Sequence, residues 1–418
     1  MKKFLIFYFS TILSFQIYPQ QFAAHGITNN FLSGISLLPE VSAQLLAAFP
    51  KPDGRPHSIG SFAFGTDQDF FFISPKLNED RNYTQGTSFT YSNSSLINSF
   101  FFSPFRLVKE YTKDKISPLT SSVSVGGTAF TPRIIDDSVP VYGDRPFAFL
   151  FYGSMSAVYT SDKKTLKGND VKIYHSYQFN LAMLGTDLGF EFQSFAHKNI
   201  VKGRPTNPQG WHNQISNGGA PTFLIQYNRF RPLVSLGQKI NGDTINNKDL
   251  FPNSFFDLGW NIGFSAGYYD RVFTGLFLRL GLLTKNNQAM WASSSHSLNS
   301  ANYQMENPDV MRNKNKKDFE LFLFAKYGPT LMLRNDLLVG QRWFPSEYTI
   351  DPDWVRVAIF EYEWGIGTSF SIQHENETTA RMYTLSYKNV YRSPEFDSEI
   401  FPQRWHYYGS VLFSIPVN

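Results

Sequence analysis

Residues 254–284 read SFFDLGWNIGFSAGYYDRVFTGLFLRLGLLT. In the first half, Phe256, Leu258, Trp260, Ile262, Phe264 and Ala266 alternate with Asp257, Gly259, Asn261, Gly263 and Ser265. In the second half, Val272, Leu276, Leu278, Leu280 and Leu282 alternate with Arg271, Gly275, Arg279 and Gly281. A period of two puts the apolar side chains on one face of a strand and the polar or glycine positions on the other. Both runs exceed ten residues. Strands of soluble sandwiches average about five or six, whereas a tilted strand needs about ten to cross a bilayer.

The pattern recurs. Val171, Ile173, Tyr177, Phe179 and Leu181 alternate with Lys172, Tyr174, Ser176, Gln178 and Asn180. Ala358, Phe360, Tyr362, Trp364, Ile366 and Phe370 alternate with Glu361, Glu363, Gly365, Gly367 and Ser369. Twelve such segments are expected, at 60–73, 85–94, 119–130, 146–160, 171–183, 220–230, 254–268, 271–284, 318–332, 355–372, 379–391 and 404–415, with Pro232 to Gly237 as a possible extra strand. The expected fold is all-β, a transmembrane antiparallel β-barrel of about 12 strands.

The rest of the composition agrees. The 418 residues are 42% hydrophobic and 17% aromatic, which suits interfacial aromatic girdles. The net charge of +4 is small for this length and gives no case for nucleic acid. Arg312, Lys314, Lys316 and Lys317 cluster in a stretch that reads as a solvated loop. There is no cysteine, which excludes disulfides, thiolate metal sites and cysteine catalysis. Met1-Lys2-Lys3 followed by an apolar run from Phe4 to Phe15 reads as a signal peptide within residues 1–24, without a clear cleavage site. Residues 25–59 form an N-terminal extension with no assigned role, and 60–418 the barrel.

If the first strand runs outward, odd-numbered strands end, and even-numbered strands begin, at the extracellular rim. Asp69, Thr84, Arg145, Gln193 and His197 then share that rim. The same scheme makes 95–118 and 285–317 long periplasmic connections, where short turns are usual. The stretch LGTDLGFEFQSFAHKNI, residues 184–200, suits a short helix, and Gln193 and His197, four apart, would share one of its faces. A neutral imidazole can take a proton from water, as a general base in ester hydrolysis must. The plain alternative is an ordinary polar contact. Asp69 suits a hard cation such as Ca²⁺, or a salt bridge to Arg81 or Arg145. Arg145 could hold a phosphate or carboxylate, or pair with Asp144 or Asp137. His212 is a second catalytic histidine or a loop hydrogen-bonder. No G-x-S-x-G, H-E-x-x-H or P-loop pattern is present.

The strings D-x-D-F…D-R-N-Y-T-Q-G (67–86), F-T-P…D-R-P-F-A (130–148), Q-S-F-A-H (193–197), G-W-H-N-Q (210–214) and Y-R-S-P-E-F (391–396) come in an order that resembles the outer-membrane lipid A deacylase (LpxR) family. The resemblance covers roughly residues 60–415. It implies a twelve-stranded outer-membrane barrel that removes ester-linked 3′-acyl chains from lipid A and requires calcium. By that resemblance His197 is the base, Gln193 its polar neighbour, Asp69 the acidic residue at the calcium site, and Thr84 and Arg145 complete the site. The implied partners are lipid A or lipopolysaccharide and outer-membrane lipids, with the chain a monomer. Two departures stand out: Gln68 where the family has Asn, and Asn217-Gly218 where it has Asn-Glu. The competing readings are an outer-membrane phospholipase, for which no serine is tied to His197 by spacing, and a porin-like or inactive structural barrel.

Overall fold

The computed structural model describes residues 60–74, 82–111, 116–164, 170–199, 208–237, 253–284, 319–372, 381–402 and 405–417. The chain divides into two units, Met1–Gly54 and Arg55–Asn418. The signal peptide, the N-terminal extension, Arg81 and the basic cluster at 312–317 lie outside the described residues.

Twelve strands form one closed antiparallel barrel in sequence order. They are β1 (Gly60–Gln68), β2 (Asn82–Ser92), β3 (Ile116–Thr131), β4 (Ala148–Lys164), β5 (Asp170–Leu184), β6 (Ala220–Gly237), β7 (Asn253–Gly267), β8 (Tyr269–Thr284), β9 (Phe319–Asn335), β10 (Ala358–Ile372), β11 (Arg381–Arg392) and β12 (His406–Val417). β1 closes the ring against β12, with Gly60 opposite Val417 and Gln68 opposite Gly409. The end where β1 finishes and β2 begins is called the upper end below. Each expected segment contains a strand. The possible extra strand at Pro232–Gly237 is the continuation of β6. Pro232 has no N–H to give the ladder, and the β6–β7 register slips between Pro232 and Val234.

The alternation is inverted relative to a soluble protein. Leu276, Leu280, Leu321, Leu323, Phe360 and Ile366 are exposed on the outer wall, while charged side chains are buried inside. Lys326 and Lys388 donate to the two oxygens of Glu363 at 2.8 and 2.6 Å. Arg279 donates to Asp257 at 2.5 Å and Arg392 to Glu361 at 2.5 Å. Pairing is what permits charge away from water. These pairs and two clusters of buried aromatic and aliphatic side chains fill the interior. Among the described residues, the space enclosed by Tyr269, Arg271, Glu361, Arg392 and Glu395 is about 10 Å³, room for one water. Such a filled barrel does not resemble the open lumen of a porin.

Two local features differ from expectation. The first strand stops at Gln68 rather than running through Phe72. Asp69–Phe71 form a 3₁₀ turn, closed by the Phe72 N–H donating to the Asp69 carbonyl at 3.1 Å. The chain then crosses the outer wall of β11 and β12. The Tyr387 hydroxyl donates to the Phe71 carbonyl at 2.7 Å, the Ile73 N–H donates to Asn389 Oδ1 at 3.0 Å, and Phe72 packs on Tyr391 and Tyr407. These bonds replace the ladder bonds that a longer strand would make. At the lower end, part of the long β2–β3 connection is ordered as helix α1 (Ser103–Tyr111) against the outer wall, where the Tyr159 hydroxyl donates to the Phe105 carbonyl at 2.8 Å.

Candidate active site

The upper end carries helix α2 (Leu188–Asn199), the stretch expected to be helical. Inward-facing Leu150 and Tyr152 on β4 leave Phe149 facing outward, yet Phe149 is buried because α2 covers it. Phe192 packs on Phe149 with ring centroids 6.1 Å apart. Gly189 lets the helix approach: a Cβ there would stand 2.5 Å from the Trp211 ring and 2.8 Å from the Phe149 Cβ. Trp211, on the 3₁₀ turn Gly210–Asn213, packs on Phe147 at 4.9 Å and donates its indole N–H to Gln193 Oε1 at 2.7 Å. The outer cluster of Ala129, Ile135, Phe147, Phe149 and Trp211 thus packs the helix against the wall.

Gln193 and His197 lie one turn apart on α2 and are both buried, while Glu191, Phe192, Lys198 and Asn199 are exposed. The i,i+4 spacing therefore gives the shared face expected of it. With its oxygen engaged by Trp211, Gln193 presents its amide NH₂ as the donor end.

Thr84 sits where β2 slips register against β3, between Tyr83 and Gln85. A bulge re-aims a side chain, and the Thr84 hydroxyl meets that of Thr131 at 2.7 Å. Tyr83 turns inward, donating to Asp67 Oδ2 at 2.9 Å. Asp69 is buried at the start of the turn that crosses the outer wall. Gln68 and Gln85 face each other across β1 and β2 beside it. So Thr84, Gln193 and His197 share the outer side of the barrel at its upper end, where the turn that begins at Asp69 also crosses the wall.

Arg145 does not join them. Its guanidinium lies over the inward-facing Phe130 ring, 4.1 Å from the centroid, and bonds Glu395. The sequence offered Asp144 or Asp137 as its partner. Asp144 instead accepts the backbone N–H groups of Arg133 and Arg145, each at 2.8 Å. Glu395 also lies 3.6 Å from Arg392, so the pair continues into the interior network. Burial would push the Glu395 carboxyl up, but Arg145, Arg392 and His406 outweigh it and hold it down to about 2. The Arg145 loop is fastened across the rim by Tyr348, whose hydroxyl accepts from Gly143 N–H at 2.7 Å and donates to the Asp144 carbonyl at 2.9 Å.

His212 is exposed and donates from Nδ1 to the Gln209 carbonyl at 2.9 Å, a bond within its own turn. In G-W-H-N-Q the residue that reaches α2 is Trp211. Glu395 and Trp211 both lie in strings read from the sequence, but neither was singled out there. The Gly218 departure has a local cause: its φ of +93° lies in a region that glycine adopts and a glutamate resists.

The fit to calcium can be judged from donor chemistry. Among the described residues no three histidine, aspartate or glutamate side chains converge. The strand ends next to Asp69 carry Gln68, Gln85 and Thr84, whose amide and hydroxyl oxygens are hard neutral donors. One carboxylate with neutral oxygens fits Ca²⁺ and not a transition metal that seeks imidazole or thiolate.

The sequence profile described as "Outer membrane protein LpxR" matches residues 33–417. The chain belongs to the LpxR family. Among solved structures, LpxR from Salmonella typhimurium is similar with a TM-score of 0.55 at 15% identity, covering 85% of this chain and 99% of that one. At that identity the likeness speaks for the fold. The translocator domain of the autotransporter NalP from Neisseria meningitidis aligns with a TM-score of 0.32 at 9% identity, covering 92% of this chain and 96% of that one. No curated protein sequence matches the chain significantly. Membership in the LpxR family makes this barrel an outer-membrane, lipid A-modifying enzyme.

Proposed function

We propose that this LpxR-family barrel hydrolyses the ester-linked 3′-acyl chains of lipid A where α2 meets the outer wall, at the extracellular rim, as a monomer. The observation that carries the reading is the burial of Gln193 and His197 on one face of a helix that lies against the outside of the barrel. A substrate whose acyl chains lie in the bilayer reaches an outer-wall site by lateral movement and does not need to enter the filled interior.

The chemistry assigned to each residue follows from its donors and acceptors. Neutral His197 takes a proton from a water molecule, whose oxygen attacks the ester carbonyl. The Gln193 amide donors orient the water or the ester, because the Gln193 oxygen is held by Trp211. The imidazolium then returns the proton to the departing sugar oxygen, leaving a fatty acid and a free hydroxyl on lipid A. The Thr84–Thr131 hydroxyl pair offers a further donor at the wall. Asp69 with neighbouring neutral oxygens would hold Ca²⁺, which when bound would supply positive charge toward an ester carbonyl oxygen. Arg145, bonded to Glu395 on the inner side, fixes the rim and does not touch the ester.

Mass spectrometry of lipid A from cells with and without the protein tests this. The expected result is loss of the 3′-acyl chains, abolished by His197→Ala and by a calcium chelator and restored by added Ca²⁺. Unchanged lipid A in cells holding the folded parent, or full activity of folded His197→Ala, would overturn it.

A further inference from the structure

The lower half of the outer wall holds charge that the reaction does not use. Along β6, buried Phe230 faces the interior, so Tyr227, Arg229 and Arg231 face out with the exposed Phe223 and Ile225. An arginine on a lipid-facing wall costs far more at the bilayer midplane than near the interface, so its height matters. Arg229 lies nine positions below Ala220, the upper end of β6. At about 3.3 Å per residue and a tilt of about 40°, that is about 23 Å down. The apolar band of such barrels is about 25 Å tall. Leu233, Val234 and Leu236 are exposed farther down the same strand, so Arg229 and Arg231 stand in the lower half of the apolar wall.

Arg229 also differs from the paired interior arginines. Arg145, Arg279 and Arg392 each bond a carboxylate. The Arg229 Nε is buried and, among the described residues, has no hydrogen-bond partner; Arg145 and Arg279 also carry unmatched nitrogens, but each of those side chains already bonds a carboxylate. Its neighbours across the ladder are His175 on β5 and Ile262 on β7, neither of them acidic. Leaving a buried donor unmatched is costly, so the surroundings favour an anionic acceptor.

The groups beside it shape a place for one. His175 lies between hydroxyls, with Nε2 3.0 Å from Ser161 Oγ and Nδ1 2.9 Å from Tyr227 Oη. This row resembles a hydrolase arrangement, but Ser161 is 3% exposed and its strand N–H groups belong to the ladder, which leaves no oxyanion donors. It serves instead to fix the imidazole and phenol beside Arg229. Tyr177 and Tyr227 pack at 5.0 Å, and Tyr227 on Phe264 at 5.7 Å, forming an aromatic shelf of the kind found at interfaces. On the other side α1 stands on Tyr159, with Leu107 of the helix and Phe100 of the turn before it exposed.

We infer that Arg229 and Arg231 bind the phosphate of a glycerophospholipid in the inner leaflet, its acyl chains lying along Phe223, Ile225 and Phe264. A guanidinium fork matches phosphate oxygens in number and geometry. The leaflet assignment rests on the proposed outward orientation of the upper end, since the outer leaflet of an outer membrane is lipopolysaccharide and the inner leaflet is phospholipid.

The test is native mass spectrometry of the whole protein released from nanodiscs containing phosphatidylglycerol and phosphatidylethanolamine. The parent is expected to retain a phospholipid, Arg229→Gln to retain it about tenfold less, and the Arg229→Gln/Arg231→Gln pair less still. Lipid A deacylation by the same samples should be unchanged, and heat-modifiable migration reports that the barrel is folded. Arg229→Lys keeps the charge without the fork and is expected to retain an intermediate amount; it gives the readout if the glutamine variant does not fold. Equal retention by parent and variants overturns the inference. So does loss of co-purified lipid A, rather than phospholipid, from Arg229→Gln protein made in cells, because that would invert the orientation. Binding is read without activity, so a failure of the deacylase reading leaves this result distinct.

Discussion

His197 and Arg145 show how differently two polar residues of the same rim behave. His197 belongs to a face turned toward the wall, where substrate chemistry is proposed. Its imidazole is a base only when neutral, so deacylation should decline on the acid side of neutrality. His197→Ala should lose roughly 10²–10⁴-fold in rate, the typical worth of a general base, with barrel migration unchanged. A pH–rate profile that stays flat to low pH in the parent would move the base elsewhere. Arg145 answers to Glu395. The carboxyl of Glu395 is depressed from 4.5 to about 2, because its cationic neighbours outweigh burial. A depressed acid stabilises the fold above its unfolded value and loses that contribution as pH falls toward its folded value. Rim segments 132–147 and 393–402 should therefore stay protected from hydrogen exchange at pH 6 and loosen between about 4.5 and about 2. Arg145→Ala leaves a buried carboxylate with one partner fewer, at a cost of about 3–5 kcal/mol, and should loosen those segments even at pH 7. Identical exchange in parent and variant would show that the pair does not hold the rim.

At the level of elements, α2 is placed by one missing side chain. A methyl group at Gly189 would meet the Trp211 ring at 2.5 Å and Phe149 at 2.8 Å. Alanine has the better helix propensity by about 1 kcal/mol, but overpacking costs about 1–3 kcal/mol. Gly189→Ala should leave α2 helical yet lift it from the wall, reducing deacylation while Trp211 fluorescence reports a looser contact. Gly189→Leu should exaggerate both effects, and a fully active leucine variant would mean that the site tolerates a displaced helix. The helix itself was legible in sequence, because Gln193 and His197 are local and their spacing is periodic. Its partners were not. Trp211 lies 18 positions from Gln193, Thr131 47 from Thr84, and Glu395 250 from Arg145. Such pairs are fixed by barrel closure, which no window of sequence displays. Strand positions were legible because lipid outside and a filled interior enforce strict alternation. Strand ends were less so. Asp69–Phe71 has the aromatic content of a strand, but a tyrosine and an asparagine on the outer wall of β11 capture the backbone at Phe71 and Ile73.

On the scale of the whole molecule, scaffold and site are separable. The ladder between β5 and β6 is complete from Tyr174–Phe230 up to Leu184–Ala220, so the strands are held without the segment 185–219. Interior pairs such as Lys326–Glu363–Lys388 and Arg279–Asp257 fix the barrel core from strands alone. The segment does contribute at the rim: the Ile215 N–H donates to the Phe147 carbonyl at 2.9 Å, and the Ser216 hydroxyl donates to Gln341 at 3.0 Å. Replacing residues 186–217 by a short hairpin turn removes α2 and Trp211 and uncovers Phe147 and Phe149. Both are outward-facing and apolar, so lipid can take the place of the helix at little cost. The variant should insert and keep heat-modifiable migration, with rim segments exchanging faster. It should leave lipid A fully acylated, because Gln193 and His197 go with the loop. Phospholipid retention through Arg229 and Arg231 should persist, since that patch lies on the lower wall of β6. A loop-deleted barrel that still removes 3′-acyl chains would place the chemistry on the strands. One that failed to fold would show that the rim loop is part of the scaffold.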